Sequence, residues 1–215
     1  MATLQRKARV TGLFYLGLAV AGAAGFLTVR SVLFVAGDPQ ATLANLTAHE
    51  PLAQLGVALE LLVVLTQALA AAGFYVLFRE ERPNAAAGIA EFGLANALAI
   101  LTSAALLATA VDVADDPFGD AAGTVQLLYL VSGHLWSVGG IFFGLWLIPM
   151  GWAVLTTGWM PRPLGWVLIA GGIGYVLSTF VAGIWPGVAA VLVVPASIGE
   201  FWMVSYLLIY GVRPR

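Results

Sequence analysis

Apolar residues fill six long stretches of the chain, at about 10–29, 52–78, 85–111, 125–156, 164–184 and 188–210, with few charges inside them. Each reaches the roughly 20 residues that a helix needs to cross a hydrocarbon core of about 30 Å. The runs are continuously apolar rather than alternating. In lipid only a helix or a closed barrel satisfies its own backbone, and barrel strands alternate, so helices are the form that fits. The pattern predicts an all-α polytopic membrane protein, a bundle of six transmembrane helices forming a single integral membrane domain over residues 1–215. The fourth run exceeds one crossing and contains Pro149, which predicts a tilt, a start among the headgroups or a bend. The first follows Arg6, Lys7 and Arg9 as a signal peptide's apolar core would, yet it is long enough to remain as an uncleaved span.

The polar positions between the runs set the orientation. With the N-terminus in the cytoplasm, Arg6, Lys7, Arg9, Arg79, Arg82, Arg162, Arg213 and Arg215 lie inside and Arg30 alone lies outside. That bias predicts both termini cytoplasmic. The inner loops, around 79–84 and 157–163, are too short to fold by themselves. In the longest outer loop Asp38-Pro39 is a helix start, followed by Leu43 and Leu46 and closed by Pro51, which predicts a short interfacial helix. The second outer loop holds Asp112, Asp115, Asp116 and Asp120 without the ligand spacing of an EF-hand, and reads as a solvated acidic loop.

Composition narrows the classes. Charged residues make up 9% of the 215, against roughly a quarter in soluble domains. A net charge of −2 without a basic stripe excludes nucleic acid as a partner, and the lack of cysteine removes disulfides, thiolate metal sites and cysteine nucleophiles. Small residues recur at helix-packing intervals: Gly17, Ala21 and Gly25; Gly133, Ser137, Gly140 and Gly144; Gly171, Gly174 and Ser178. They predict close packing within one bundle, with a homodimer seam as the alternative. Trp159, Trp166 and Trp185 fall where an aromatic belt would place them. An inverted repeat of two three-span halves fits poorly, because Glu60 has no acidic counterpart in the fifth span.

The order and spacing of several short motifs carry a resemblance over nearly the whole chain. Arg9-Val10-Thr11-Gly12-Leu13-Phe14-Tyr15-Leu16, Phe142-Phe143-Gly144-Leu145-Trp146-Leu147, Pro161-Arg162-Pro163-Leu164-Gly165-Trp166, Gly172-Ile173-Gly174-Tyr175 and Pro195-Ala196-Ser197-Ile198-Gly199-Glu200 stand in that order. The sequence resembles the bacterial membrane family catalogued as domain of unknown function 4386. The resemblance implies a bacterial membrane bundle of about this length and brings no activity or catalytic residues.

Ionisable residues inside spans cost roughly 2.5 to 3.5 kcal/mol on insertion scales and are the default functional candidates. Four stand out: Glu60, Glu91, His134 and Glu200. Helical rise places Glu60 and His134 about 12–14 Å below the outer ends of their runs and Glu200 about 18 Å below. Gln67 shares the face of Glu60, Asn96 that of Ser103, and Ser197 that of Glu200. Glu60, His134, Glu200, Gln67, Asn96 and Ser197 are therefore expected to line one outward-facing polar pocket. Glu91, about 9 Å from the inner surface, is expected to pair with Arg79 or Arg82. No zinc spacing, nucleophile elbow or phosphate loop is present, so no catalytic or metal-ligating set is assigned and the cofactor stays unknown. A second axial histidine for haem is lacking, and a single-histidine haem remains open.

The leading expectation is a multi-pass protein of the bacterial inner (plasma) membrane that binds a small or lipid-like ligand, with transport of it or of protons as an extension. Membrane lipids are its expected partners. One rival is an intramembrane enzyme using His134 with Glu60 or Glu200. The other is a structural subunit of a larger complex.

Overall fold

The computed structural model describes residues 2–213. Arg215, counted above with the inner basic residues, lies outside the described residues. Among these there are helices and short connections and no strand. α1 (Ala2–Ala24) passes without interruption into a π-helical stretch (Gly25–Arg30) and a short α2 (Ser31–Leu33). Then come α3 (Pro39–Ala48), α4 (Glu50–Phe78), α5 (Pro83–Asp115), α6 (Ala121–Thr157), α7 (Arg162–Val181), α8 (Pro186–Leu192) and α9 (Val194–Ile209). Six segments are long and apolar enough to cross a membrane: Thr3–Leu33, Glu50–Phe78, Pro83–Asp115, Ala121–Thr157, Arg162–Val181 and Pro186–Ile209.

Helix ends follow local chemistry. Pro39, Pro83 and Pro186 open their helices, where a missing N–H costs nothing. Asp38 caps α3 by accepting from the Ala41 N–H at 2.9 Å, the helix expected from Asp38-Pro39. In the acidic loop Asp120 accepts from the Gly123 N–H at 3.0 Å, at the start of α6. Gly158, at φ +65°, ends α6 in a conformation that glycine adopts freely. Two departures from the sequence reading are local. The first span is longer than its apolar core, and the sixth is two helices because Pro195 cannot donate into a continuous ladder. α6 stays helical through Pro149 over 37 residues, about 55 Å at the helical rise.

The chain forms two compact units. The first comprises Met1–Leu16, Thr66–Ala97 and Val138–Arg215. Within it, glycines let helix backbones touch. A Cβ at Gly172 would stand 2.6 Å from the Gly144 carbonyl oxygen, and one at Gly151 would stand 2.5 Å from that of Gly165, so α6 and α7 meet through bare backbone. A Cβ at Gly171 would come 2.5 Å from Ala196 of α9. The small-residue stripes there serve packing inside the unit. An aromatic core of Tyr15, Phe74, Phe143 and Trp146 joins α1, α4 and α6 by edge-on and stacked contacts at 5.3–6.0 Å. Trp159 is buried and stacks on Phe78 at 5.9 Å, so it belongs to this core and not to a belt, whereas Trp166 and Trp185 are exposed.

The second unit comprises Gly17–Leu65 and Leu98–Ser137. Its core gathers Val29, Leu33, Leu46, Leu107, Val111, Val125 and Tyr129. α3 is tied to α6 through Thr42, which is fully buried and donates to Gln126 Oε1 at 2.9 Å, while Gln126 Nε2 donates to the Val35 carbonyl at 3.3 Å.

Candidate functional site

In the second unit the π-helical stretch carries Arg30 toward α6. An i→i+5 turn loosens the regular ladder, and hydroxyls compensate: Thr28 Oγ1 donates to the Ala24 carbonyl, and Ser31 Oγ to that of Leu27 at 2.9 Å. The Arg30 guanidinium donates through Nη1 to Ser132 Oγ at 3.0 Å and through Nη2 to the Tyr129 carbonyl at 2.5 Å. Its Cζ lies 5.4, 5.6 and 5.5 Å from the ring centres of Phe26, Phe34 and Tyr129, within cation–π reach. Gly133 makes the seat, because a Cβ there would stand 2.9 Å from Nη2.

Glu60 faces the same space from α4. It is 6% exposed, and its Oε1 accepts from Trp136 Nε1 at 2.9 Å. The other carboxyl oxygen, Oε2, is buried without a hydrogen-bond partner. Ser103 acts on Glu60 from α5, and its Oγ also lies 2.8 Å from Ser132 Oγ, a pair in which either hydroxyl can be the donor. Arg30 and Glu60 thus feel each other's charge without an ion pair between them. Between them lies a cavity of about 20 Å³, bordered also by Gly22, Gly25, Gly56 and the ring of Trp136. Trp136 meets Phe26 edge-on at 4.8 Å.

The six residues expected to share one pocket fall in both units. Glu60 and His134 belong to the second unit, and Gln67, Asn96, Ser197 and Glu200 to the first. The inward stripes hold: Glu60 and Gln67 on α4, and Asn96 and Ser103 on α5, are buried, and Asn96 Nδ2 donates to Gln67 Oε1 at 2.8 Å. His134 does not face inward. It is exposed, because it stands about 200° from buried Ser132 at 100° per residue, on the opposite side of α6. Ser197 is exposed too; the buried stripe of α9 is Ala196, Gly199 and Met203, which leaves Glu200 at its edge and Ser197 beyond it. Half-buried Glu200 accepts from the Tyr15 hydroxyl at 2.5 Å. Glu91 is exposed, and Arg82, one of the two arginines expected to pair with it, is held by Thr156, donating to its Oγ1 at 2.8 Å and to its carbonyl at 2.7 Å. No three His, Asp or Glu side chains among the described residues are grouped to hold a metal ion.

Comparison with family models returns one described as a domain of unknown function, DUF4386, matching residues 10–211. The chain belongs to the DUF4386 family. No curated protein matches it, and no solved structure matches it. Membership carries no role for any residue, so the site in this DUF4386 bundle stands on its geometry. Two of its central residues, Arg30 and Trp136, had no place in the pocket read from sequence. For Arg30 the signal was present: it is the single basic residue that breaks the orientation rule, and a charge kept against that bias needs a reason. For Trp136 the signal was phase, four residues from Ser132 on the inward side of α6.

Proposed function

We propose that this DUF4386 protein binds a small, membrane-dissolved ligand at the cavity between Arg30 and Glu60, on the outer side of a bacterial plasma membrane. The observation that carries the reading is Glu60 Oε2. Leaving a buried acceptor unmade costs about 1–3 kcal/mol, more when it is charged, so such a group calls for a partner. Beside it Arg30 is held by α6 and three rings but not by the carboxylate, so a guest can bridge the two. The outward assignment rests on the distribution of Lys and Arg, eight of nine on the side of the termini. Movement of the ligand or of protons across the membrane would extend the same reading.

Native mass spectrometry of the detergent-purified protein tests it. A small-molecule adduct is expected on the wild type and is expected to be lost in Glu60→Gln and Arg30→Gln. Identical spectra for all three proteins would refute the assignment of the site.

A further inference from the structure

The cavity between Arg30 and Glu60 is selective in size and in hydrogen bonding. Its volume, about 20 Å³, admits a single water-sized group, for which the threshold is about 10–15 Å³. Glu60 Oε2 is an acceptor that lacks a donor. Arg30 has five N–H groups and uses one on Ser132 and one on Tyr129, so it borders the cavity with donors to spare and calls for an acceptor. A cation placed there would meet the guanidinium, and an anion would meet the carboxylate. An ether or ketone oxygen accepts from Arg30 but leaves Glu60 unanswered. A group of one heavy atom that both donates and accepts is a hydroxyl, either of water or of a larger molecule. The remaining wall is apolar: Val29, Val63 and Leu107, with Gly22, Gly25 and Gly56, and with Phe26, 38% exposed, at the rim.

We infer that the site recognises a membrane-dissolved alcohol, whose hydroxyl enters between Arg30 and Glu60 while its apolar body lies at the rim against Phe26 and Trp136. This rests on the ligand-binding reading above and narrows it to a chemical class. The hydroxyl donates to Glu60 Oε2 and accepts from Arg30, so the orphaned oxygen gains its partner and neither charge is neutralised. An isostere without the hydroxyl strands both groups again, and sites built around such a hydrogen bond reject that isostere strongly.

The test uses the full-length protein in phosphatidylcholine nanodiscs and two labelled probes, 1-decanol and undecane, in which a methyl group replaces the hydroxyl. Uptake is measured against nanodiscs without protein. One saturable equivalent of decanol per protein is expected, with undecane at least about tenfold weaker. Glu60→Gln and Arg30→Gln should each weaken decanol at least about tenfold while leaving the helical circular-dichroism signal intact. The comparison of the two probes on the wild type stands even if a variant fails to fold. Equal saturable uptake of both probes, or none of either, overturns the inference. If decanol fails while the wild type still carries an adduct that Glu60→Gln loses, the alcohol class is wrong and ligand binding survives. If that adduct is missing as well, both readings fall.

Discussion

The bond from Tyr15 to Glu200 gives the sharpest energetic test of the first unit. Tyr15 is 1% exposed, and its hydroxyl stands 2.5 Å from Glu200 Oε1, in the range of charge-assisted O–H···O⁻ bonds. Tyr15→Phe removes the hydroxyl and keeps the ring contacts, 5.7 Å to Phe74 and 5.3 Å to Trp146. Bonds to charged groups contribute about 1.5–3 kcal/mol in soluble proteins, whereas interhelical bonds in membranes average about 0.6 and reach about 1.7. Glu200 has no second hydrogen bond among the described residues, which points to the upper end, a loss of about 1.5 kcal/mol. Glu200→Gln keeps an acceptor but makes the bond neutral, roughly halving it, for a loss of about 0.7 kcal/mol. Once Tyr15 is Phe, the amide is easier to bury than a carboxylate without a donor. The double variant should therefore be no less stable than Tyr15→Phe alone. Equilibrium unfolding in mixed micelles of sodium dodecyl sulfate and a mild detergent measures all four corners of the cycle. Strictly additive losses, or Tyr15→Phe within about 0.3 kcal/mol of the wild type, would show that the hydroxyl does not tie α1 to α9.

Three further outcomes are expected. Gly172→Ala should cost about 1–3 kcal/mol in the same assay, because its Cβ meets the Gly144 carbonyl at 2.6 Å, whereas Gly183→Ala, with nothing within 4 Å, should be neutral. Asp38→Ala should lower stability by about 1 kcal/mol through loss of the α3 cap. In intact cells an impermeant thiol reagent should label Ala48→Cys and spare Asn84→Cys, both exposed positions in a chain without native cysteine; the reverse labelling would invert the proposed orientation.

The spans could be read from the sequence because the bilayer imposes length and hydropathy directly, and the start of α3 because Asp-Pro carries its own capping chemistry. The buried stripes were legible too, since seven residues nearly complete two helical turns: Glu60 with Gln67, and Asn96 with Ser103. The site is harder to read, because residue type and helical phase disagree. The chemistry of His134 argues for an inward place, although two positions from Ser132 is the far side of the helix. Glu200 and Ser197 sit on neighbouring faces of α9, but the edge of its buried stripe passes between them, and only the packing of Ala196, Gly199 and Met203 shows where that edge runs. Arg82 finds Thr156, 74 residues away, a contact that no local pattern announces.

The wide turn at Gly25–Arg30 fixes angular register in the first span. A chain wound i→i+5 for one turn carries a residue more than an α-helix of the same path, and each residue is worth about 100° of rotation. Deleting Leu27 alone should let the stretch close into an α-helix along the same path, with Arg30 still facing Ser132 and Tyr129. A residue inserted beside Thr28 has no wider turn left to absorb it and should rotate Arg30 by about 100°, away from the cavity. The stretch holds a spare residue, so it can lose one more easily than it can gain one.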